Sequence, residues 1–267
     1  MKSEAKAHVQ AGSASTGTLG KAMAVLEIIA SSEEPMRFTD ILPLTDQPRG
    51  TLHRQLSHLV DEGLLALGSG RTYTLGLRLL RLAAQSWADN RFRLVAEPHL
   101  RQLHRSTGGT VHLGVLSGAE VVYLDKIEGN QTMRMHSQIG KASPAHCTGV
   151  GKAALSCLPD ERLVPLVETM PFHRFTPATI STPQELLAEI ARIRREGVAY
   201  DLGEHEPGIG CVAAPVYTAD RDLVAAVSVT GPRYGMEPDA LSHWARAVRM
   251  AAGAITEELK VRMAPRT

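Results

Sequence analysis

The stretch "QPRGTLHRQLSHLVDEGLLALGSGRTYTLG", residues 47–76, constrains the fold more than any other part of the chain. Its first half has a helical repeat. Leu52, Leu56, Leu59 and Val60 make one apolar face, while Gly50, His53, Arg54 and Ser57 fall at i, i+3, i+4 and i+7 on the opposite face. Pro48 suits the first helical turn and Gly63 the stop. The second half is two short runs around Gly68, Ser69 and Gly70, the signal of a hairpin. Upstream, Leu19, Ala22, Met23, Leu26 and Ile29 recur at helical spacing, and "FTDILPLT" offers a short second helix that Pro43 must bend or end. Three short helices and a hairpin within about 60 residues, with a basic face on the third helix, predict a winged helix-turn-helix over residues 18–76. Residues 1–17 read as a disordered polar tail.

From Leu77 a helical pattern leads away, and residues 77–92 are expected to form a linker helix. Within it, Leu79, Leu82, Ala83 and Trp87 suggest a stripe where protomers meet. Residues 93–267 then mix types. "TVHLGVL" and "EVVYLDKI" flank Ser117-Gly118 as a hairpin. "STPQELLAEIARIRREG" carries a capping box of Thr182 and Glu185, Pro183 at the first position and Gly197 as stop. "GCVAAPVYT" and "LVAAVSVTG" read as buried strands around residues 219–222, and a long helix fills about 238–262. The expected class is α+β with a largely antiparallel sheet.

With 267 residues there is chain enough for two domains, and at 4% aromatic content their cores must be aliphatic. No apolar run spans a membrane, and the N-terminus lacks a signal-peptide core. Three cysteines without tight spacing fit a reducing cytoplasm rather than a disulfide scaffold. Residues 1–105 carry 13 Lys/Arg against 10 Asp/Glu, and 106–267 carry 16 against 18, a mild bias toward an anion-facing N-terminal half.

"HCTGVGKAAL", residues 146–155, raises three chemistries. A phosphate loop needs a glycine where His146 stands and a hydroxyl where Ala153 stands, so a nucleotide is excluded. A zinc site drawn from His146, Cys147, Asp201, His205 and Cys211 lacks close paired spacing. A catalytic thiol would need a histidine partner and a lowered pKa, and Cys211, in an apolar run, reads first as a small hydrophobe. Cys157 reads as core, and no cofactor or metal is expected.

Three stretches, "TLHRQLSHLVDEGLLAL…YTLG", "IGKASPAHCTGVGKAALSCLP" and "GVAYDLGEHEPGIGCVAAPVYTADRDLVAAVSVTGP", resemble the IclR family of bacterial transcription regulators. The resemblance runs from about Leu19 to about Leu259. It implies a winged helix-turn-helix, a linker helix and a GAF-like domain that binds a small effector, in a homodimer or homotetramer. On the DNA side it implies contacts from Arg49, Gly50, Thr51, His53, Arg54 and Ser57 on the recognition helix, and from Arg71 and Tyr73 in the wing. On the effector side it implies Gly149, Val150, Asp201 and Cys211, with Met135 and Ser143 as wall positions and His146, His205 and Ser228 counted with them. Gly149 and Gly151 would then let the backbone turn tightly into a helix whose first amides hold a carboxylate. The function expected is a ligand-responsive repressor of a catabolic operon. It would read a pseudo-palindromic double-stranded operator and sense a small organic acid. The alternative is a thiol enzyme or hydrolase fused to a helix-turn-helix module.

Overall fold

The computed structural model describes residues 17–130, 137–218 and 223–262. They form two compact units, one ending at Asp89 and the other beginning at Asn90. The first unit opens with α1 (Gly17–Ala30), β1 (Met36–Arg37) and α2 (Phe38–Ile41). Pro43 sits in a single 3-10 turn, Leu42–Leu44, where a missing amide costs nothing. Then come α3 (Arg49–Asp61), β2 (Leu65–Leu67), β3 (Thr72–Leu75) and α4 (Leu77–Ala88). Pro48 is the residue before the helix rather than its first member, and Gly63 takes the left-handed conformation after its end. The antiparallel order β1-β3-β2 closes the wing, with Met36 opposite Tyr73 and Leu67 opposite Tyr73 on the other side. The core is aliphatic: Val25, Leu26, Ile28, Ile29, Ile41, Leu52, Leu56, Leu59 and Leu65.

The helical pattern after Leu77 is broken. α4 ends at Ala88, and Asn90 caps a new helix, α5 (Arg91–Thr107), by accepting from the Arg93 amide at 2.9 Å. No residue of α4 is buried. Its leucines Leu77 and Leu80 are exposed on one side, with Ala84 and Trp87 at compatible spacing, whereas Leu82 lies across the helix from Leu80. Leu79 packs on the core of its own unit. Leu77 and Leu80 thus share one exposed side of the helix, and Leu82 is exposed on another.

The second unit is built on one six-stranded antiparallel sheet. After α5 come β4 (Thr110–Ser117), β5 (Glu120–Ile127), β6 (Ala142–Pro144), α6 (Gly149–Leu155), α7 (Asp160–Thr169), α8 (Pro183–Glu196), β7 (Ala199–Asp201), β8 (Ile209–Val216), β9 (Ala225–Pro232) and α9 (Pro238–Arg262). The strand order is β6-β5-β4-β9-β8-β7. One face packs α5 and α9 through Val111, Leu113, Val212, Ala214, Val227 and Val229. The other packs α6, α7 and α8 through Val121, Ala199, Ala213 and Ala226. α8 starts as its sequence requires: Thr182 Oγ1 accepts from the Glu185 amide, and the Glu185 carboxylate reaches back to the Ser181 amide, one residue before the usual partner.

Candidate functional site

On the first unit, α3 presents Arg49, Gly50, His53, Arg54 and Ser57 to solvent while Leu52, Leu56 and Leu59 are buried, and Thr51 is half-buried. The Arg49 guanidinium lies over the Phe38 ring, 5.3 Å from its centroid, which places its charge at the start of the helix. Arg71 is exposed at the hairpin and has a left-handed backbone, φ 56°. Glycine would take that conformation without strain. Tyr73, in the wing, is partly buried against the core of the unit.

On the second unit the strand register builds a polar patch on the α6 face of the sheet. Asp201 pairs with Cys211, Cys211 with Thr230 and Thr230 with Thr110, forming one row across four strands. The next row is Ala199, Ala213, Ser228 and His112. Side chains of alternate residues share a face, so Asp201, Cys211, Thr230, Ser228 and His112 converge there. Above them sits the start of α6. A cavity of about 40 Å³ lies between, lined by His112, Tyr123, Ser137, Thr148, Gly149, Val150, Asp201, His205, Glu206, Ile209, Cys211, Ser228 and Thr230. A single water needs about 10–15 Å³ on this measure, so the cavity holds roughly three water-sized groups.

Six of the expected effector residues line it: Gly149, Val150, Asp201, His205, Cys211 and Ser228. Ser143 and His146 do not. Ser143 is buried on β6 opposite Val121. His146 is a core histidine, with Nε2 at 3.0 Å from the His173 carbonyl and its ring edge-on to Phe172; burial lowers its pKa, so it is neutral. Met135 lies outside the described residues. Sequence reasoning missed His112, Tyr123, Ser137, Thr148, Glu206, Ile209 and Thr230. The signal for two of them is the strict alternation in "TVHLGVL" and "VSVTG", which puts His112 and Thr230 on the faces opposite their valines.

The corner at Gly149 also works differently from expectation. Neither Gly149 nor Gly151 has a positive φ among the described residues. Both are glycines because of close approach. A Cβ on Gly149 would stand 2.8 Å from Cys211 Sγ, and one on Gly151 would stand 2.5 Å from Ala145 Cα. Thr148 Oγ1 caps the Gly151 amide at 3.2 Å, and the first ladder bond is Lys152 N–H to the Thr148 carbonyl. With seven residues α6 has little macrodipole, so only the Gly149 and Val150 amides remain for a ligand.

The electrostatics of the lining are unusual. Asp201 and Glu206 supply carboxylates, and among the described residues no lysine or arginine lines the cavity. Asp201 Oδ1 accepts from the amides of Gly203 and Glu204 at 3.1 and 2.7 Å, so the residue is a turn former as well as a wall. Burial pushes its carboxyl up to about 6, against the pull of the Glu204 amide and Lys152. His112, bonded to Ser137 Oγ at 2.8 Å, is driven down to about 3 by burial and then by Lys126. Burial, then Asp201, lifts the Cys211 thiol to about 11, and burial lifts Cys147 and Cys157 as well. These are thiols, not thiolates, which removes the nucleophile that a thiol enzyme would need. Ser228 Oγ is buried and makes no full hydrogen bond among the described residues, with only the Cys211 thiol, a weak partner, to meet it. The lysine of "GVGK" is not a ligand group either. Lys152 is buried on α6 and ion-paired to Glu204 and Glu189. No cluster of metal-binding side chains occurs among the described residues, and no helix there is long and apolar enough to cross a membrane.

Residues 87–257 match the family described as bacterial transcriptional regulator IclR C-terminal, and residues 18–67 match the IclR helix-turn-helix domain. The chain belongs to the IclR family. It is 31% identical to the HTH-type transcriptional regulator XynR of Escherichia coli over 240 residues, covering 90% of this chain and 95% of that protein. To the acetate operon repressor of Salmonella typhimurium it is 30% identical over 242 residues, covering 90% and 88%. Among solved structures, that of the Thermotoga maritima IclR matches with a TM-score of 0.68 and 28% identity, over 91% of this chain and 98% of that one. The IclR family and these relatives are transcriptional regulators, not enzymes.

Proposed function

We propose that this IclR-family chain is a repressor of a catabolic operon whose operator binding is set by a small hydroxylated organic acid held in the sheet cavity. The observation that carries the effector reading is Ser228, whose hydroxyl is buried in the cavity wall with only the Cys211 thiol, a weak partner, beside it. An unsatisfied buried hydroxyl costs about 1–3 kcal/mol, a cost that a ligand acceptor would remove. When ionised, Asp201 and Glu206 are acceptors without a donor, so they suit ligand hydroxyls. The Gly149 and Val150 amides are left for the acid end. The name of the acetate operon repressor is consistent with regulation of short-acid catabolism.

Ser228→Ala tests this reading. It should leave thermal stability unchanged or slightly higher, because it deletes an unsatisfied group. It should weaken an effector found by thermal-shift screening of short hydroxy- and keto-acids by about tenfold, the equivalent of one hydrogen bond. Unchanged affinity alongside unchanged stability would mean that the cavity is a packing defect.

The exposed face of α3 would enter a major groove, with Arg71 touching the backbone nearby and paired protomers reading a pseudo-palindrome. Arg54→Ala should cost about 1–3 kcal/mol of operator affinity if it reads a base, and a uniform loss with a shallower salt slope if it touches phosphate. Binding identical to wild type at every salt concentration would take this face out of the interface. The Leu77 and Leu80 stripe on α4 would join copies of the chain into a dimer or tetramer. Leu80→Lys should then lower the sedimenting mass and the operator affinity together.

A further inference from the structure

Behind the cavity wall lies a charged cluster that the effector reading does not use. Lys152, whose side chain is 1% exposed, projects from α6 to within 2.5 Å of Glu204 Oε1 and 3.7 Å of Glu189 Oε1. Glu189, on α8, is already held by two bonds from Arg192 at 2.8 Å. Glu204 follows Asp201 in the turn after β7, and its amide is one of the two that Asp201 Oδ1 accepts. The second Glu204 oxygen, Oε2, is buried and has no partner among the described residues. The Thr179 hydroxyl pins the Glu204 carbonyl at 2.6 Å, so the turn cannot simply swing its carboxylate to water. Cys147, which feels Asp201, Glu204 and Lys152, keeps its proton because of burial.

One buried ammonium thus meets Glu204 and the Arg192-held Glu189, buried Asp201 is tied to the same turn through the Glu204 amide, and one Glu204 oxygen is buried without a partner among the described residues. In a low-dielectric site a second like charge is strongly opposed, and the pair titrates as a unit. We propose that Asp201, Glu204 and Lys152 share one dissociable proton near neutral pH, and that this proton sets the charge the cavity presents to its ligand. With the proton the cluster is neutral and Glu206, beside His205, is the carboxylate left on the wall; without it the wall gains a second negative charge and repels an acid more strongly. The shifts agree in direction: burial, then Asp201 and Glu189, push Glu204 up to about 7 against the pull of Lys152. The consequence for a ligand rests on the cavity being the effector site. The proton itself does not.

Infrared spectra of the ligand-free full chain between about pH 5 and pH 9 decide it, because ordinary carboxyls are ionised above about pH 6. A protonated-carboxyl band should persist at pH 6.5 in the wild type and bleach as pH rises through about 7. Glu204→Gln and Asp201→Asn should each abolish it at pH 6.5, since either change leaves the remaining carboxylate alone with Lys152. No such band in the wild type, or a band that survives in either variant, overturns the proposal. If a variant does not fold, potentiometry on the wild type replaces it. Thermal unfolding at pH 6.5 should release about one proton from these groups, offset by uptake of about half a proton each on His112 and His146, which are neutral in the fold, so a net near zero is expected and a net uptake of about one proton overturns the proposal. A negative result leaves the effector reading standing, because that reading is tested by Ser228→Ala.

Discussion

Lys152→Ala is expected to lower the stability of the second unit by about 3–5 kcal/mol near neutral pH, because it leaves buried Glu204 and Asp201 without their cation. The loss should depend on pH with a definite sign. Both carboxyls have folded pKa values above their unfolded ones. The stability they contribute is therefore present at low pH and is lost as pH rises through the folded values, about 6 and 7. Without Lys152 those values rise further. The deficit should shrink toward about pH 5 and be largest on the alkaline side. Urea unfolding at two pH values measures it. An equal deficit at both would assign the loss to the packing of the lysine stem, and Lys152→Met would then restore it.

The second large effect is expected in the first unit. Leu56→Ala should cost about 2–5 kcal/mol, since Leu56 is fully buried in a core of nine buried residues with little capacity to refill the space. Small domains have only about 5–15 kcal/mol to lose. Operator affinity should fall at growth temperature and return on cooling, once the unit is folded again. Arg54, two residues earlier and exposed, should show the reverse pattern: weak binding at every temperature with an unchanged melting curve. If Leu56→Ala left the calorimetric transition in place, the assignment of α3 as the central helix of that core would be wrong.

The contrast between those two residues also shows what could be read from the sequence. The faces of α3, the wing hairpin, the β4–β5 hairpin and the cap at Thr182 are local patterns, governed by residues within a few positions of each other. They survive into the structure nearly unchanged. The break at Asp89 and Asn90 was hidden because an apolar repeat continues through it, although the asparagine cap was in plain view. The cavity is a different kind of object. Its row from Thr110 through Thr230 and Cys211 to Asp201 exists only once β4, β9, β8 and β7 are in register. Taken singly, Thr110 and Thr230 are ordinary strand residues. The resemblance to a family supplied Asp201, Cys211 and Ser228, but not His112 or Tyr123. The buried place of Lys152 has no local signal, since lysines are seldom buried unless paired, and only the fold shows that Glu204 comes to meet it.

The strand order also governs how safely such a chain can be made in quantity. β9 opens with an uncharged, proline-free run, residues 225–230, of the kind that feeds amyloid-like stacking when exposed, while β8 carries its own breaker in Pro215. Neither is an edge. The edges are β6 and β7, three residues each, and β6 ends in Pro144, which has no amide to offer an incoming strand. A folded molecule therefore gives a neighbour almost no ladder to extend, and the hazardous strand becomes accessible only on unfolding. Conditions that weaken the second unit should accordingly be seen first as precipitation during expression, before any loss of affinity can be measured.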